Sequence, residues 1–161
     1  NWKPYGGVVK LGRLLVTHGS LVLKHSGWSG RAHYDKYGSS VLVGHTHRLG
    51  IYYRTNAKGI HVAYENGCLC KLNPEYVQYP DWQQGFSVVH VGEGGYFSVQ
   101  QIPIIGRKRF FYGGYYFIAY IKQLFQSCSF YGIFKIFLVF GNNTDLSRNF
   151  FKYESIGFFI S

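Results

Sequence analysis

Methionine is absent from all 161 residues, and acidic side chains are scarce, with seven Asp and Glu against seventeen Lys and Arg. The first absence leaves no initiator ahead of Asn1, and no charged-then-apolar leader precedes the first strand-like segment, so the sequence reads as a piece of something longer. The second leaves a formal net charge of +10, whose long-range field favours polyanionic partners such as nucleic acid or phosphorylated substrates. Cysteine is also rare. Cys68, Cys70 and Cys128 make neither an even disulfide framework nor a CxxC pair, which places the chain in a reducing, cytoplasmic setting. Long apolar runs are missing too. The best uninterrupted stretch, Ile136 to Phe140, is far short of the roughly twenty residues that span a bilayer, so no stable membrane span is expected.

What is present points to one globular domain. The hydrophobic content is 47%, and a chain of this length buries a single core. Composition breaks near Gly106: only Phe86 and Phe97 of the fourteen phenylalanines precede it, and all seven histidines do. Residues 1–112 are therefore taken as the structured unit. Residues 113–161 are an aromatic, apolar tail of the kind that translation past a damaged stop codon in AT-rich DNA would produce.

Within the first unit, "GRLLVTHGS" has an apolar run, Leu14 to Val16, that suits a buried strand ending at Thr17 and His18. A short helix follows, with Ser29 as N-cap and Gly38 as C-cap. Val41 to Val43 then forms a second buried strand. Strand, helix and strand in close succession define a crossover unit of an α/β fold, whose parallel strands end on the same side. His18 and His45 would emerge at one sheet edge. Beyond Arg48, "GIYYRTNAKGIHVAYENG" reads as a hairpin turning between Thr55 and Gly59, and "FSVVHVGEGGYFSVQQIPI" as a second one turning at Gly92 to Gly95. The proline-bearing "KLNPEYVQYPDWQQG" between them is an ordered loop.

The chemistry concentrates in "GHTHR". His45 and His47 stand two residues apart, so on an extended segment their side chains point the same way, about 7 Å apart, and on a turn they converge further. Paired imidazoles suit Mn, Zn, Fe or Ni rather than a hard oxygen-liganded cation. Taken alone the tripeptide reads as a surface pair with no ligand. His18, at the end of its own apolar run, tips the balance towards a metal edge. Arg48 is a candidate bidentate donor to a substrate phosphate, or else a solvated loop arginine. Cys68 and Cys70 flank one residue and can face one way, but with no second pair at zinc spacing they read as buried thiols. Tyr76, Tyr79 and Trp82 are either base-stacking residues or an aromatic plug, and "GRKRFFYGG" is either a phosphate clamp or a solvated turn. His25, His33, His61 and His90 are each isolated and read as structural.

"VTHGS" followed by "VLVGHTHR" resembles the last two motifs of the calcineurin-like metallophosphoesterases, and "YENGCLCKLNPEYVQYPDWQQGFSVVHV" is similar to their phage and prophage branch. The resemblance covers about residues 10–112. It implies the C-terminal half of a four-layer α/β/β/α sandwich, two divalent metal ions, and a metal-bridging hydroxide that attacks a phosphate monoester or diester, nucleic acid included. His18 and His45 would then ligate one ion and His47 the other. The earlier DxH, GDxxD and GNH motifs of that family are missing, and "GNNTD" at Gly141 lacks the histidine. A fragment inactive by itself, completed by a missing N-terminal half, is the reading this implies. The alternatives are a basic nucleic-acid-binding module with incidental histidines, and a fragment attached to a membrane by its tail.

Overall fold

The computed structural model describes residues 6–106, 109–118 and 136–139. Arg107, Lys108, Cys128 and most of the aromatic tail lie outside them, and so do the expectations placed on those residues.

Two strands open the fold, β1 (Val8–Leu11) and β2 (Leu14–Thr17), paired antiparallel. Helix α1 (Trp28–Tyr37) then crosses to β3 (Val41–Val43), which lies parallel to β2. The hairpin β4 (Gly50–Asn56) and β5 (Gly59–Glu65) turns through Ala57 and Lys58, and β5 runs parallel to β3. The sheet order is thus β1-β2-β3-β5-β4. A second hairpin, β6 (Gly85–Val91) and β7 (Phe97–Pro103), is joined by β10 (Ile136–Val139) parallel to β6. Strands β8 (Arg109–Tyr112) and β9 (Tyr115–Ile118) form a separate hairpin. Strand pairing therefore crosses residue 112, which falls beside a hairpin turn rather than at an edge of structure.

Side-chain alternation explains the layering. In β2, β3 and β5 successive residues point to opposite faces. Leu14, Val16, Leu42 and Tyr64 meet Val89 of β6, with Val91, Phe97 and Val99 packed around them. Val41, Val43 and Ala63 turn the other way, onto Tyr34 of α1. Helix, sheet and sheet thus stack in an α/β arrangement in which β3 is buried on both faces. Fully burying a side chain such as Leu42 (0% exposed) contributes about 1.5–3 kcal/mol, so the strand that precedes "GHTH" is held firmly.

The helix begins two residues earlier than expected, at Trp28, with the cap two residues before Ser29. Its N-cap is Gly27, in the left-handed region with no side-chain cap. Ser29 is buried instead, and its hydroxyl accepts a hydrogen bond from the Leu23 N–H at 2.8 Å. The C-cap is Gly38 as expected, its N–H donating to the Tyr34 carbonyl at 2.7 Å. Gly30 lies against β5: a Cβ there would meet the Ala63 side chain at 3.4 Å, in van der Waals contact.

Candidate metal centre

Because β2 and β3 pair in parallel with Thr17 opposite Val43, their carboxyl ends coincide. His18 directly follows β2. Its carbonyl accepts hydrogen bonds from the N–H groups of Gly44 (3.1 Å) and His45 (2.9 Å), which draws the "GHTH" turn back across the strand ends. The His18 Nε2 and His45 Nδ1 atoms come within 2.8 Å, rings edge to face. Two imidazole nitrogens bound to one ion at about 2.0–2.1 Å each stand about 3.0–3.4 Å apart, so the pair needs only a slight opening to share a metal.

The turn separates its three side chains. Thr46 points inward and donates to Glu65 Oε2 at 2.7 Å. His47 adopts φ 58, a left-handed conformation that costs a non-glycine residue roughly 1–2 kcal/mol. The strain is held by two hydrogen bonds, His47 N–H to the Gly44 carbonyl (3.3 Å) and Gln83 N–H to the His47 carbonyl (2.9 Å). With its backbone so twisted, His47 leaves the His18–His45 pair and faces the connection between β5 and β6.

That connection brings in the two cysteines. Cys68 donates its N–H to the Gln83 carbonyl and accepts at its own carbonyl from Gly85, both at 3.0 Å; the Gln84 amide donates to the Cys70 carbonyl at 2.8 Å. Cys70 Sγ lies 3.9 Å from His47 Nδ1. Donor atoms of His47, Cys68 and Cys70 all fall within 4.8 Å of one another, so this group could hold a metal ion. The sequence spacing missed it, because the third donor comes from a distant turn. Trp82 packs edge-on against the His47 ring, centroids 4.5 Å apart, acting as a plug at that point, whereas Tyr76 and Tyr79 are exposed.

The imidazoles are kept neutral. His18 is pushed down to about 4, first by burial and then by the neighbouring His45 and His47. Burial also lowers His45 and His47, with smaller contributions from His33 and His45 respectively. At neutral pH the rings are therefore uncharged, and a cation that displaces the hydrogen bond between the His18 and His45 rings meets lone pairs rather than positive charge.

Arg48 stands elsewhere than on an open phosphate-binding surface. It is 6% exposed, and its guanidinium donates to the carbonyls of Leu23 (2.5 Å) and Lys24 (2.6 Å) and to the Ser29 hydroxyl (3.3 Å). Glu65 faces it at 3.7 Å and Asp81 at 4.0 Å. The guanidinium is spent on tying the segment before α1 to the "GHTH" turn. Sequence reasoning missed Glu65, fully buried at the end of β5 and accepting from Gly30 N–H (3.0 Å) as well as Thr46. A lone carboxylate at the end of an apolar strand was the available signal. Its oxygens already serve the helix and the turn, so it is a brace for the site. His33 is structural, as read: its Nδ1 donates to the Ser29 carbonyl at 2.7 Å, and its Nε2 accepts from Ser20 (3.1 Å) and Leu21 (3.4 Å). Gly19 is required beside it, at φ 85 and where a Cβ would lie 2.8 Å from Nε2.

Over 83 residues the chain is 35% identical to "Gene 54 protein" of Mycobacterium phage D29, a match covering 46% of this chain and 31% of that protein. The chain thus spans less than a third of the length of this relative. No family model and no solved structure matches. Among the described residues, no helix is long and apolar enough to cross a membrane.

Proposed function

We propose that this chain carries the histidine-lined edge of a two-metal phosphoester hydrolase of the calcineurin-like kind, acting on phosphate monoesters or diesters, with nucleic acid as the substrate class its +10 charge favours. The observation that carries the reading is the 2.8 Å approach of His18 Nε2 and His45 Nδ1 across the ends of two adjacent parallel strands, with His47 set apart by its own backbone twist. Open α/β sheets bind ligands at the carboxyl ends of their strands. The helix–sheet–sheet stacking is what a part of a four-layer sandwich would look like.

His18 and His45 would hold one ion and His47 would contribute to a second. Two such ions polarise a phosphoryl oxygen and lower the pKa of bound water. The chain's own residues prepare this: burial keeps the imidazoles unprotonated, the His18 carbonyl fixes the turn, and Thr46, Glu65 and Arg48 hold its underside. Among the described residues no carboxylate is offered to the pair, since Glu65 is engaged below, and the DxH, GDxxD and GNH motifs are absent from the sequence. Hydrolysis by the chain alone should consequently be close to background.

Metal titration of the purified chain, followed by elemental analysis, tests the reading. His18→Ala and His45→Ala should each remove an ion from that pair, and turnover of a chromogenic phosphodiester should stay near the uncatalysed rate. Metal content indifferent to both substitutions, with DNA affinity that tracks the basic residues, would replace this reading with that of a nucleic-acid-binding module. Fast metal-dependent turnover by the chain alone would refute the claim that it is incomplete.

A further inference from the structure

We propose that His47, Cys68 and Cys70 form a thiolate–imidazole site for zinc that clamps the connection between β5 and β6 onto the "GHTH" turn. This gives the ion at His47 two sulfur ligands that the hydrolase reading does not include, and it stands without hydrolysis because it needs only these three side chains. In a tetrahedral zinc centre with bonds of about 2.3 Å to sulfur and about 2.0–2.1 Å to nitrogen, neighbouring donors lie about 3.6–3.8 Å apart. Cys70 Sγ and His47 Nδ1 are already at 3.9 Å, and all three donors fit within 4.8 Å. Closure therefore needs side-chain movements of about 1 Å or less, with no rebuilding of the backbone.

The backbone is set for it. Cys68 is held on both its N–H and its carbonyl by the 83–85 segment, and the same segment holds the His47 carbonyl. One short stretch thus positions donors from two parts of the chain. The strained φ of His47 is what turns its ring towards the sulfurs, and Trp82 backs that ring. Charge agrees with burial. Two thiolates neutralise a divalent ion, so a site built on the buried Cys68 carries no net charge into a poorly solvated environment. Soft sulfur donors select zinc over Mg or Mn, and three protein ligands leave a fourth position for water or an incoming group.

Cobalt(II) replaces zinc in such sites and reports its ligands. The full chain, purified under reducing conditions and titrated with cobalt(II), should develop a thiolate-to-cobalt charge-transfer absorption at one equivalent, bleached by zinc. Cys68→Ser, Cys70→Ser and His47→Ala should each weaken binding at least about tenfold, since even outer-shell changes cost that much. A His18→Ala/His45→Ala double variant should keep the absorption, which separates failure of this site from failure of the hydrolase reading. In the unsubstituted chain, zinc should slow alkylation of Cys68 and Cys70, mapped by peptide mass spectrometry, and a chelator should restore it. Cobalt binding without the charge-transfer band, or alkylation of both cysteines at the same rate with and without zinc, would overturn the proposal.

Discussion

β2 and β3 deliver His18 and His45 from strand ends whose register is set by a core buried on both faces, whereas the connection from Asn66 to Gln84 delivers Cys68, Cys70 and Trp82 from backbone pinned by a handful of hydrogen bonds. The two regions meet at His47. The strand ends hold their ligands through packing that the whole domain supports. The connection holds its ligands through polar contacts that a metal ion would reinforce. Disturbing the sheet should therefore unfold both groups of ligands together, and disturbing the connection should release one group alone.

The largest effect is expected where the two regions are joined from below. Arg48→Ala leaves Glu65 buried opposite an empty space, and removing one partner of a buried ion pair costs about 3–5 kcal/mol. Gly30 N–H and Thr46 still serve the carboxylate, which puts the expectation at the lower end. Urea unfolding should show a lower midpoint at unchanged slope. A loss under about 1 kcal/mol would mean the guanidinium contributes no more than a surface pair. Comparable in size is Leu42→Ala in β3, about 2–5 kcal/mol for a fully buried leucine. It should lower the stability of the metal-free chain while the zinc-loaded cysteines keep their protection from alkylation until global unfolding.

How far these features could be read from sequence follows the same division. Apolar runs ending in histidine, Leu14 to His18 and Val41 to His45, carry their own period and their own stop, so the crossover unit and both hairpins were legible. The helix start was not, because Gly27 caps it through a backbone conformation and the expected cap, Ser29, is needed by Leu23. Arg48 was legible as a residue near the site but not as a buried tie, since its partners are two backbone carbonyls on a segment about twenty-five positions away. The His47–Cys68–Cys70 group was hidden for a related reason. Zinc spacing rules see donors close in sequence, and here tertiary folding supplies one of the three.

Acid should distinguish the regions by a smaller effect. The folded-state pKa of His33 is lowered, chiefly by burial, and that of His18 falls to about 4. Both groups take up protons more readily when unfolded. Their contribution to stability is complete above the ordinary value of 6.5 and is lost as pH falls through the window towards the folded value, about 4 for His18. The metal-free chain should thus show a urea midpoint that declines from pH 7 to pH 4.5. His33 must also give up accepting from Ser20 and Leu21, so the protection of those two amides, measured against their intrinsic exchange rate at each pH, should fall along with it. A midpoint that stays flat across this range would show that the rings are not held neutral by burial.

The smallest effect is the sharpest comparison. Tyr79 and His47 are the non-glycine residues with positive φ among the described residues, at 51 and 58 respectively. Tyr79 is 99% exposed, so Tyr79→Gly relieves the same backbone strain and gives up no packing. Stability should rise by up to about 1 kcal/mol, the relief being partly offset by the greater chain entropy of glycine in the unfolded state. His47→Gly relieves equal strain in the metal-free chain but removes a ring packed on Trp82 and a donor to the zinc site. Without metal, its loss of contacts and its relief of strain should nearly cancel. With zinc present, the variant should fall behind the unsubstituted chain, because it binds at the cysteines more weakly and so gains less from binding. Equal responses of the two chains to zinc would show that the strain at His47 serves the turn alone, and would remove the reason for placing a metal between the turn and the connection.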